Sequence, residues 1–356
     1  MRILFLGGGS VGHLAPLVAV WRELKKQEPE AEAIFLCSEQ ESDGRYLAKE
    51  KVEYRSVPAP RRARELITGF PTFYRSAARV IDAFKPDVVL SKGGAVSVPA
   101  CLAAKRRNIP FVLHDSDAVM GRANRFLSRW AKVVCLGFPP SNQKNTSALG
   151  TWHLALGTSV TTGNPIRPEI TRGSRQAGLT LTGFSGHRPV LLIWGGSQGA
   201  EALNAWARDH VDALVAICDV AHVMGPGKQG AAARPGYWST EMAYENLPHL
   251  HAITSLAISR AGAGSISELA ANAIPMILVP LRGLAQDHQL KNAVAATRTG
   301  GAIRVEQEEM NVRLLPLVSE ILQTSAKRDE MSRGAQQLAQ PEAAGHVARI
   351  LLQCIA

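Results

Sequence analysis

Short runs of aliphatic and β-branched residues alternate with amphipathic helical patterns along nearly the whole chain. Such alternation predicts βα units that feed parallel sheets, because a strand covered on both faces reads as a continuous apolar run. Arg2–Leu6 predicts a first strand, and a glycine loop follows it. From about Leu14 to Lys26 the pattern turns helical, with Leu14, Leu17, Val18, Trp21 and Leu24 on one face and Pro16 in the first turn. Ala33–Cys37, Val88–Ser91, Phe111–His114 and Val133–Leu136 predict further strands, with helices around Val98–Arg106 and Gly121–Ala131. The pattern restarts after Gly163-Asn164-Pro165. Val190–Trp194, Leu256–Ser259 and Met276–Pro280 predict strands; helices run through Trp206, over Ile266–Asn272, and in the tail from about Val312. Residues 141–159 (Ser, Asn, Thr, Gly) and 225–236 (Gly, Pro, Ala) predict loops or frayed elements. Two successive βα systems imply two Rossmann-like domains joined within Val160–Pro168, which suits 356 residues.

Composition narrows the class. At 46% hydrophobic and 20% charged the chain is globular, and wholesale disorder is excluded. The first apolar run is too short for a signal peptide, and no window approaches the roughly 20 apolar residues of a spanning helix. A soluble or peripheral, cytoplasmic protein is expected. Five dispersed cysteines without a CxxC argue for buried thiols in a reducing compartment, against a disulfide scaffold or a zinc site. The net charge of +10 is unevenly placed: residues 1–160 carry 23 Lys+Arg against 14 Asp+Glu, the remainder 17 against 16. The front half is therefore expected to meet something anionic, whether nucleic acid, a phosphorylated ligand or an acidic membrane, unless the charge serves solubility alone.

In open α/β sheets ligands bind beyond the carboxyl ends of the strands, and the loops there hold the chemistry. Gly7-Gly8-Gly9-Ser10-Val11-Gly12-His13 leads into a helix, where glycines let the backbone approach a phosphate and the helix start offers unpaired N–H groups. It is neither a dinucleotide fingerprint nor a Walker loop. His13, at the positive end of a helix dipole, would be a neutral imidazole able to accept a proton, or a residue that merely caps and packs. Ser91-Lys92-Gly93-Gly94-Ala95 repeats the strand-to-glycine theme as a functional loop or a plain turn. His114-Asp115-Ser116-Asp117 places two carboxylates at a strand end, suited to a metal, a helix cap or a hydroxyl. In the back half, Gly195-Gly196-Ser197-Gln198-Gly199 is a second phosphate-type loop. Ser259-Arg260-Ala261-Gly262-Ala263-Gly264-Ser265 is followed by Glu268, which can accept from a ribose diol or complement the dipole. Gln286-Asp287-His288-Gln289 with Asn292 offers the polar groups a sugar needs.

In order along the chain, these motifs resemble those of the MurG family, transferases that add N-acetylglucosamine to the lipid-linked muramyl-peptide precursor of peptidoglycan. The resemblance also takes in Gly121, Asn124 and Gly163-Asn164-Pro165-Ile166-Arg167, and it spans most of the chain. It implies a GT-B architecture: two Rossmann-like α/β domains with parallel sheets facing across a cleft. Residues 1–163 would be the acceptor- and membrane-facing domain, 164–339 the UDP-sugar donor domain, and helix 340–356 would pack back on the first. The resemblance gives Ser197 and Gln198 to the diphosphate and Glu268 to the ribose. It places Arg167, Arg260, Gly262, Ala263, Gln289, Asn292, Asn124 and Asp117 around the donor, and Gly8, Gly9, Ser10, Gly12, Gly93 and Gly94 around the acceptor diphosphate. His13 is the expected general base and Asp115 the second candidate. The reaction implied is inverting transfer to the acceptor 4-hydroxyl, with no cofactor and no catalytic metal. The chain departs from the family pattern in several places. Ser10 and Val11 stand inside the first loop, Asp115-Ser116-Asp117 replaces Glu-Gln-Asn, Ala95 replaces Tyr, and Leu247–Ser259 reads shorter.

Expected partners are UDP-N-acetylglucosamine, the lipid-linked acceptor and the anionic cytoplasmic face of the inner membrane, but not nucleic acid. For membrane docking, Arg61, Arg62, Arg64, Arg75 and Arg79 surround Leu66, Ile67, Phe70, Phe73 and Tyr74; an ordinary surface helix is the alternative. Another GT-B lipid glycosyltransferase, a UDP-sugar epimerase, and a lapsed UDP-sugar binder remain the competing readings.

Overall fold

The computed structural model describes residues 1–58, 65, 68–140, 151–154, 157–283 and 287–355. The chain divides into two compact units, Met1–Arg167 with Gln340–Ala356, and Pro168–Ala339.

Unit 1 carries β1 (Arg2–Leu6), β2 (Glu32–Ser38), β3 (Tyr54–Val57), β4 (Val88–Ser91), β5 (Phe111–Asp115), β6 (Val133–Leu136), β7 (Thr151–Leu154) and β8 (Gly157–Thr161). Among the described residues they form one sheet in the order β3-β2-β1-β4-β5-β6-β8-β7, parallel except for the β7–β8 pair. Unit 2 carries β9 (Val190–Trp194), β10 (Asp219–Val223), β11 (Tyr237–Thr240), β12 (Leu256–Ser259), β13 (Met276–Leu278) and β14 (Ala302–Arg304), all parallel in the order β11-β10-β9-β12-β13-β14. Both units share one logic. The first strand pairs with the second on one side and the fourth on the other, so crossovers leave in opposite directions and a crevice opens between the loops that follow. Register sets those loops level, with Leu6 beside Ser91 and Trp194 beside Ser259.

The central strands are buried throughout, which explains their unbroken apolar sequences. Crossover helices bury one stripe each: Leu14, Leu17, Val18 and Leu24 of Val11–Gln27, and Leu203, Trp206, Ala207, Val211 and Leu214 of Glu201–Ile217. The last helix, Ala343–Ile355, buries Ala344, Val347, Ala348 and Leu351 in unit 1, where it packs on Val11–Gln27. Cys37, Cys101, Cys135 and Cys218 are buried free thiols; burial pushes Cys101 and Cys218 up to about 12.

Several expectations need correction. The first helix begins at Val11, so Pro16 lies inside it and removes the hydrogen bond that would reach the Gly12 carbonyl. Arg122–Leu127 is helical but tightens into a 3-10 turn at Ser128–Trp130. Within 141–159, read as loops or frayed elements, residues 151–154 form the edge strand β7, and 157–161 form β8, paired between β6 and β7. Residues 141–150 lie outside the described residues. Leu247–Ser259 holds the helix Leu247–Ile253 and then β12. The boundary falls after Arg167 rather than Gly163, because unit 1 grips the connecting segment. Thr162 and Gly163 N–H both bond the Leu136 carbonyl, and the Asn164 amide donates to Ser116 O at 3.1 Å.

Candidate active site

In unit 1 the β1 and β4 loops lie side by side. Gly7 N–H bonds the Leu36 carbonyl, and Gly8 is so tightly enclosed that an added Cβ would sit 2.7 Å from Asp43 Oδ2 and 2.8 Å from Ser38 N. Gly9 then takes φ +87° with open space beside it. Asp43, fully buried on the helix Glu41–Lys49, shapes this turn by accepting from Gly9 N–H at 2.7 Å and Ser38 Oγ at 2.6 Å. Ser10 is the N-cap in extended conformation, and the helix has no acidic residue in its first turn. Its first-turn N–H groups and the dipole therefore carry partial positive charge that no acidic side chain of that turn offsets. Val11 is an ordinary first helical residue and does not have a positive φ.

His13 donates from Nδ1 to the Gly8 carbonyl at 2.8 Å. A carbonyl can only accept, so the proton sits on Nδ1 and Nε2 keeps its lone pair. Burial, and then the Lys92 ammonium, lower the His13 pKa from its usual 6.5, outweighing the Gly8 bond, Asp117 and Asp43. The ring is a neutral base with its tautomer fixed by the glycine loop. Across from it, Gly93 and Gly94 turn at φ +82° and +84°. Ser91 and Ser97 clasp that turn: their hydroxyls pair at 2.7 Å, Gly93 N–H donates to Ser91 Oγ and Ser97 Oγ donates to Gly93 O. A Cβ on Gly94 would lie 3.6 Å from His13 Nδ1, which sets the spacing of the two loops.

The third segment is a brace more than a reactive surface. His114 is buried, donates from Nε2 to Gly163 O at 3.1 Å, and is held far below its usual pKa by burial. Asp115 Oδ2 accepts from Gly121 N–H and Asn124 Nδ2, both at 2.9 Å, and Oδ1 accepts from Asp117 N–H at 3.3 Å. With those bonds it works as a cap, and the second candidate base is occupied. Asn124 is buried beneath Gly93 and also donates to His114 O at 3.1 Å, so it supports the loop instead of reaching outward. Two buried side chains at these loops, Asp43 and Lys92, were not singled out from the sequence. Asp43 had no local signal, being brought in from another helix. Lys92 did have one, a lone charge between an apolar strand and two glycines.

In unit 2 the β9 loop turns through Gly196 (φ +80°) and Gly199 (φ +65°) and leaves Ser197 and Gln198 exposed ahead of the helix Glu201–Ile217. Gly199 is packed so closely on β10's loop that a Cβ would lie 1.9 Å from Met224 O. A buried relay fixes that contact. Asn204 Nδ2 donates to Met224 O at 3.0 Å; Asn204 Oδ1 accepts from His222 Nε2, and Tyr237 OH donates to His222 Nδ1, both at 2.9 Å. Tyr237 OH in turn accepts from Ala231 N–H. Burial and then Arg208 lower His222 to about 4, so the ring is neutral. Across the switch point, a Cβ on Gly196 or Gly262 would lie 3.8 Å from Ser265 Oγ, which makes the β9 and β12 loops neighbours. Gly262 caps the helix Ala263–Ala271, and Glu268 lies one turn inside it.

Other expected donor residues face inward. Arg260 is buried, donating to Val279 O at 3.1 Å and Gln307 Oε1 at 2.6 Å, and burial lowers its pKa. Asn292, fully buried, donates to Ala261 O at 3.1 Å and supports the β12 loop. Gln289 Oε1 accepts from Leu281 N–H at 3.0 Å. Asp287 holds Gly283 N–H at 2.7 Å from a left-handed conformation, φ +56°. Gln286 lies outside the described residues. Arg167 is buried and belongs to unit 1. Among the described residues no group of three His, Cys, Asp or Glu side chains could hold a metal ion, and no helix is long and apolar enough to cross a membrane.

The two units match known domains in the same order. Residues 3–136 match the glycosyltransferase family 28 N-terminal domain, and residues 190–347 match its C-terminal domain. The chain is 33% identical over 324 residues to the UDP-N-acetylglucosamine--N-acetylmuramyl-(pentapeptide) pyrophosphoryl-undecaprenol N-acetylglucosamine transferase of Shouchella clausii, covering 88% of each chain. It is 32% identical over 324 residues to the protein of the same name from Clostridium botulinum strain Langeland, again covering 88% of each. Among solved structures it is similar to Acinetobacter baumannii MurG, with a TM-score of 0.74 and 25% identity over 99% of each chain. A UDP-GlcNAc 2-epimerase from Neisseria meningitidis shares the fold at a TM-score of 0.67 and 14% identity, over 99% of this chain and 100% of that one. With its two parallel-sheet units this is the GT-B architecture, and the chain belongs to glycosyltransferase family 28, in its MurG branch.

Proposed function

We propose that this chain transfers N-acetylglucosamine from UDP-N-acetylglucosamine to the 4-hydroxyl of the lipid-linked muramyl-peptide, with inversion at the anomeric carbon. One observation carries the mechanism: the His13 Nδ1 bond to Gly8 O, which leaves Nε2 as a neutral base within the loop suited to a diphosphate. In the step, the acceptor oxygen forms its bond to the anomeric carbon while the bond from that carbon to the UDP oxygen breaks. His13 Nε2 takes the hydroxyl proton, and UDP leaves with the electron pair. Unit 1 supplies the base and the acceptor loops, Gly8–Gly12 and Gly93-Gly94. Unit 2 supplies Ser197, Gln198 and the helix starts after Gly199 and Gly262, whose N–H groups stabilise the departing diphosphate, with Glu268 on the ribose. Transfer of labelled sugar to the lipid acceptor, repeated with His13→Ala and Glu268→Ala, tests the reading; absence of transfer by the unmodified chain overturns it.

Docking on the anionic cytoplasmic face of the membrane completes the proposal. Arg75 and Arg79 are exposed on the helix Phe70–Phe84, although Phe70 and Tyr74 pack partly into the core. Arg61, Arg62, Arg64, Leu66 and Ile67 lie outside the described residues. Further support comes from Phe126, 40% exposed, set edge-on to Trp130, with Arg129 over both rings and Lys105 over Trp130 at 4.1 Å. Such amphipathic rings among cations suit a charged lipid interface. Sedimentation with liposomes should show binding that requires anionic lipid; equal weak binding to neutral vesicles counts against docking.

A further inference from the structure

Asp43 is fully buried on the helix Glu41–Lys49, and its Oδ2 accepts from Ser38 Oγ at 2.6 Å and from Gly9 N–H at 2.7 Å. Burying a charged carboxylate is costly, whereas a neutral acceptor would satisfy the same N–H at a smaller cost. The position of the carboxylate supplies a use for its charge. Gly9 N–H and the Gly8 carbonyl belong to one trans peptide, so they point in opposite directions. The carbonyl on the far side is the one that accepts from His13 Nδ1 at 2.8 Å. Carboxylate, peptide and imidazole thus form one chain of hydrogen bonds. Peptide resonance carries charge along it: an anion at the N–H shifts electron density to the carbonyl oxygen, which becomes the stronger acceptor. A firmer bond at Nδ1 favours the protonated ring and so makes Nε2 the better base. Histidine bases are commonly oriented by a carboxylate behind them; here a peptide stands between the two. Around the ring, burial and the Lys92 ammonium oppose protonation, while the Gly8 bond, Asp117 and Asp43 favour it. Lys92 follows β4, Asp117 follows β5, and Asp43 lies on the helix after β2.

We propose that Asp43 is a positioning residue for the transfer step, acting on His13 through the Gly8–Gly9 peptide, which it holds and polarises so that the Gly8 carbonyl fixes and strengthens the base. The inference rests on the proposed transfer reaction. Asp43→Asn keeps an acceptor for Gly9 N–H and Ser38 Oγ but removes the charge. In the full chain, shown folded by circular dichroism, it should lower kcat about tenfold, a part of the roughly 10²- to 10⁴-fold that a general base contributes. Acceptor KM should not rise, because the loop keeps its shape. The acid limb of kcat/KM should move to lower pH, since the ring loses a charge that favours its protonation. Placed on His13→Ala, the same substitution should add less than about twofold to the loss, because its path runs through that ring. An unmoved acid limb, losses that multiply in the double variant, or a loss confined to KM overturns the proposal and leaves Asp43 as a shaper of the turn. If Asp43→Asn does not fold, Ser38→Ala takes its place. It leaves the carboxylate and its Gly9 bond but frees Oδ2 of the hydroxyl, so the acid limb should move to higher pH; a limb that stays or falls is equally decisive. If the unmodified chain transfers no sugar, the reaction reading fails by itself. The relay is then read by NMR titration of the His13 imidazole, whose pKa should fall in Asp43→Asn and rise in Ser38→Ala; unchanged values overturn it.

Discussion

The relay under the donor loop makes stability depend on pH in a calculable way. His222 is fully buried between Asn204 and Tyr237 and titrates at about 4, against 6.5 in an unfolded chain. Between those values the unfolded chain takes up a proton that the folded protein refuses, so stability falls as pH drops from 6.5 towards 4 and then levels off for this group. A shift of roughly 2.5 units corresponds to about 3 kcal/mol in total, of which about 2 kcal/mol is lost between pH 7 and pH 5. Urea unfolding followed by tryptophan fluorescence at pH 7 and pH 5, on the unmodified chain and on His222→Gln, isolates this contribution, because other titrating groups cancel in the comparison. The variant should start less stable at pH 7 yet lose about 2 kcal/mol less on acidification. Equal losses in the two proteins would refute the assignment of the neutral ring to the relay.

Other consequences are as concrete. His13→Ala should lower kcat by about 10²- to 10⁴-fold, the usual contribution of a general base. Because His13 is held below 6.5, the acid limb of kcat/KM in the unmodified chain should fall below that pH and vanish in the variant. Gly199→Ala should cost about 3 kcal/mol or more, measured by thermal melting, since its Cβ would meet Met224 O at 1.9 Å and its φ is +65°. Gly9→Ala has open space and only an adverse φ, so its stability loss should stay near 1–2 kcal/mol while acceptor KM rises. Transfer is expected to survive chelation with EDTA, because helix N-termini supply the electrostatics of the leaving group; collapse with rescue by one divalent ion would contradict this.

The strands and glycine loops were legible because a parallel sheet buried on both faces writes continuous apolar runs, several of them, such as β1 and β9, followed by glycine at the carboxyl end. Edge pieces were not. β3 and β11 are short and half-polar, and β7 is a short edge strand paired antiparallel to β8. At the site, loop positions could be read but side-chain directions could not. Asp115, Asn124, Arg260 and Asn292 were expected to meet substrate, yet each, like His114, bonds a neighbouring backbone group. Lys92 meets Ser116, and Gly9 meets Asp43, across 24 and 34 residues. Such pairings follow from sheet order, which local pattern does not encode.

Asp43 carries a consequence for turnover. Since a carboxylate already occupies Gly9 N–H, an incoming phosphate meets a mould that is set beforehand and needs no ordering, but it also meets resident negative charge.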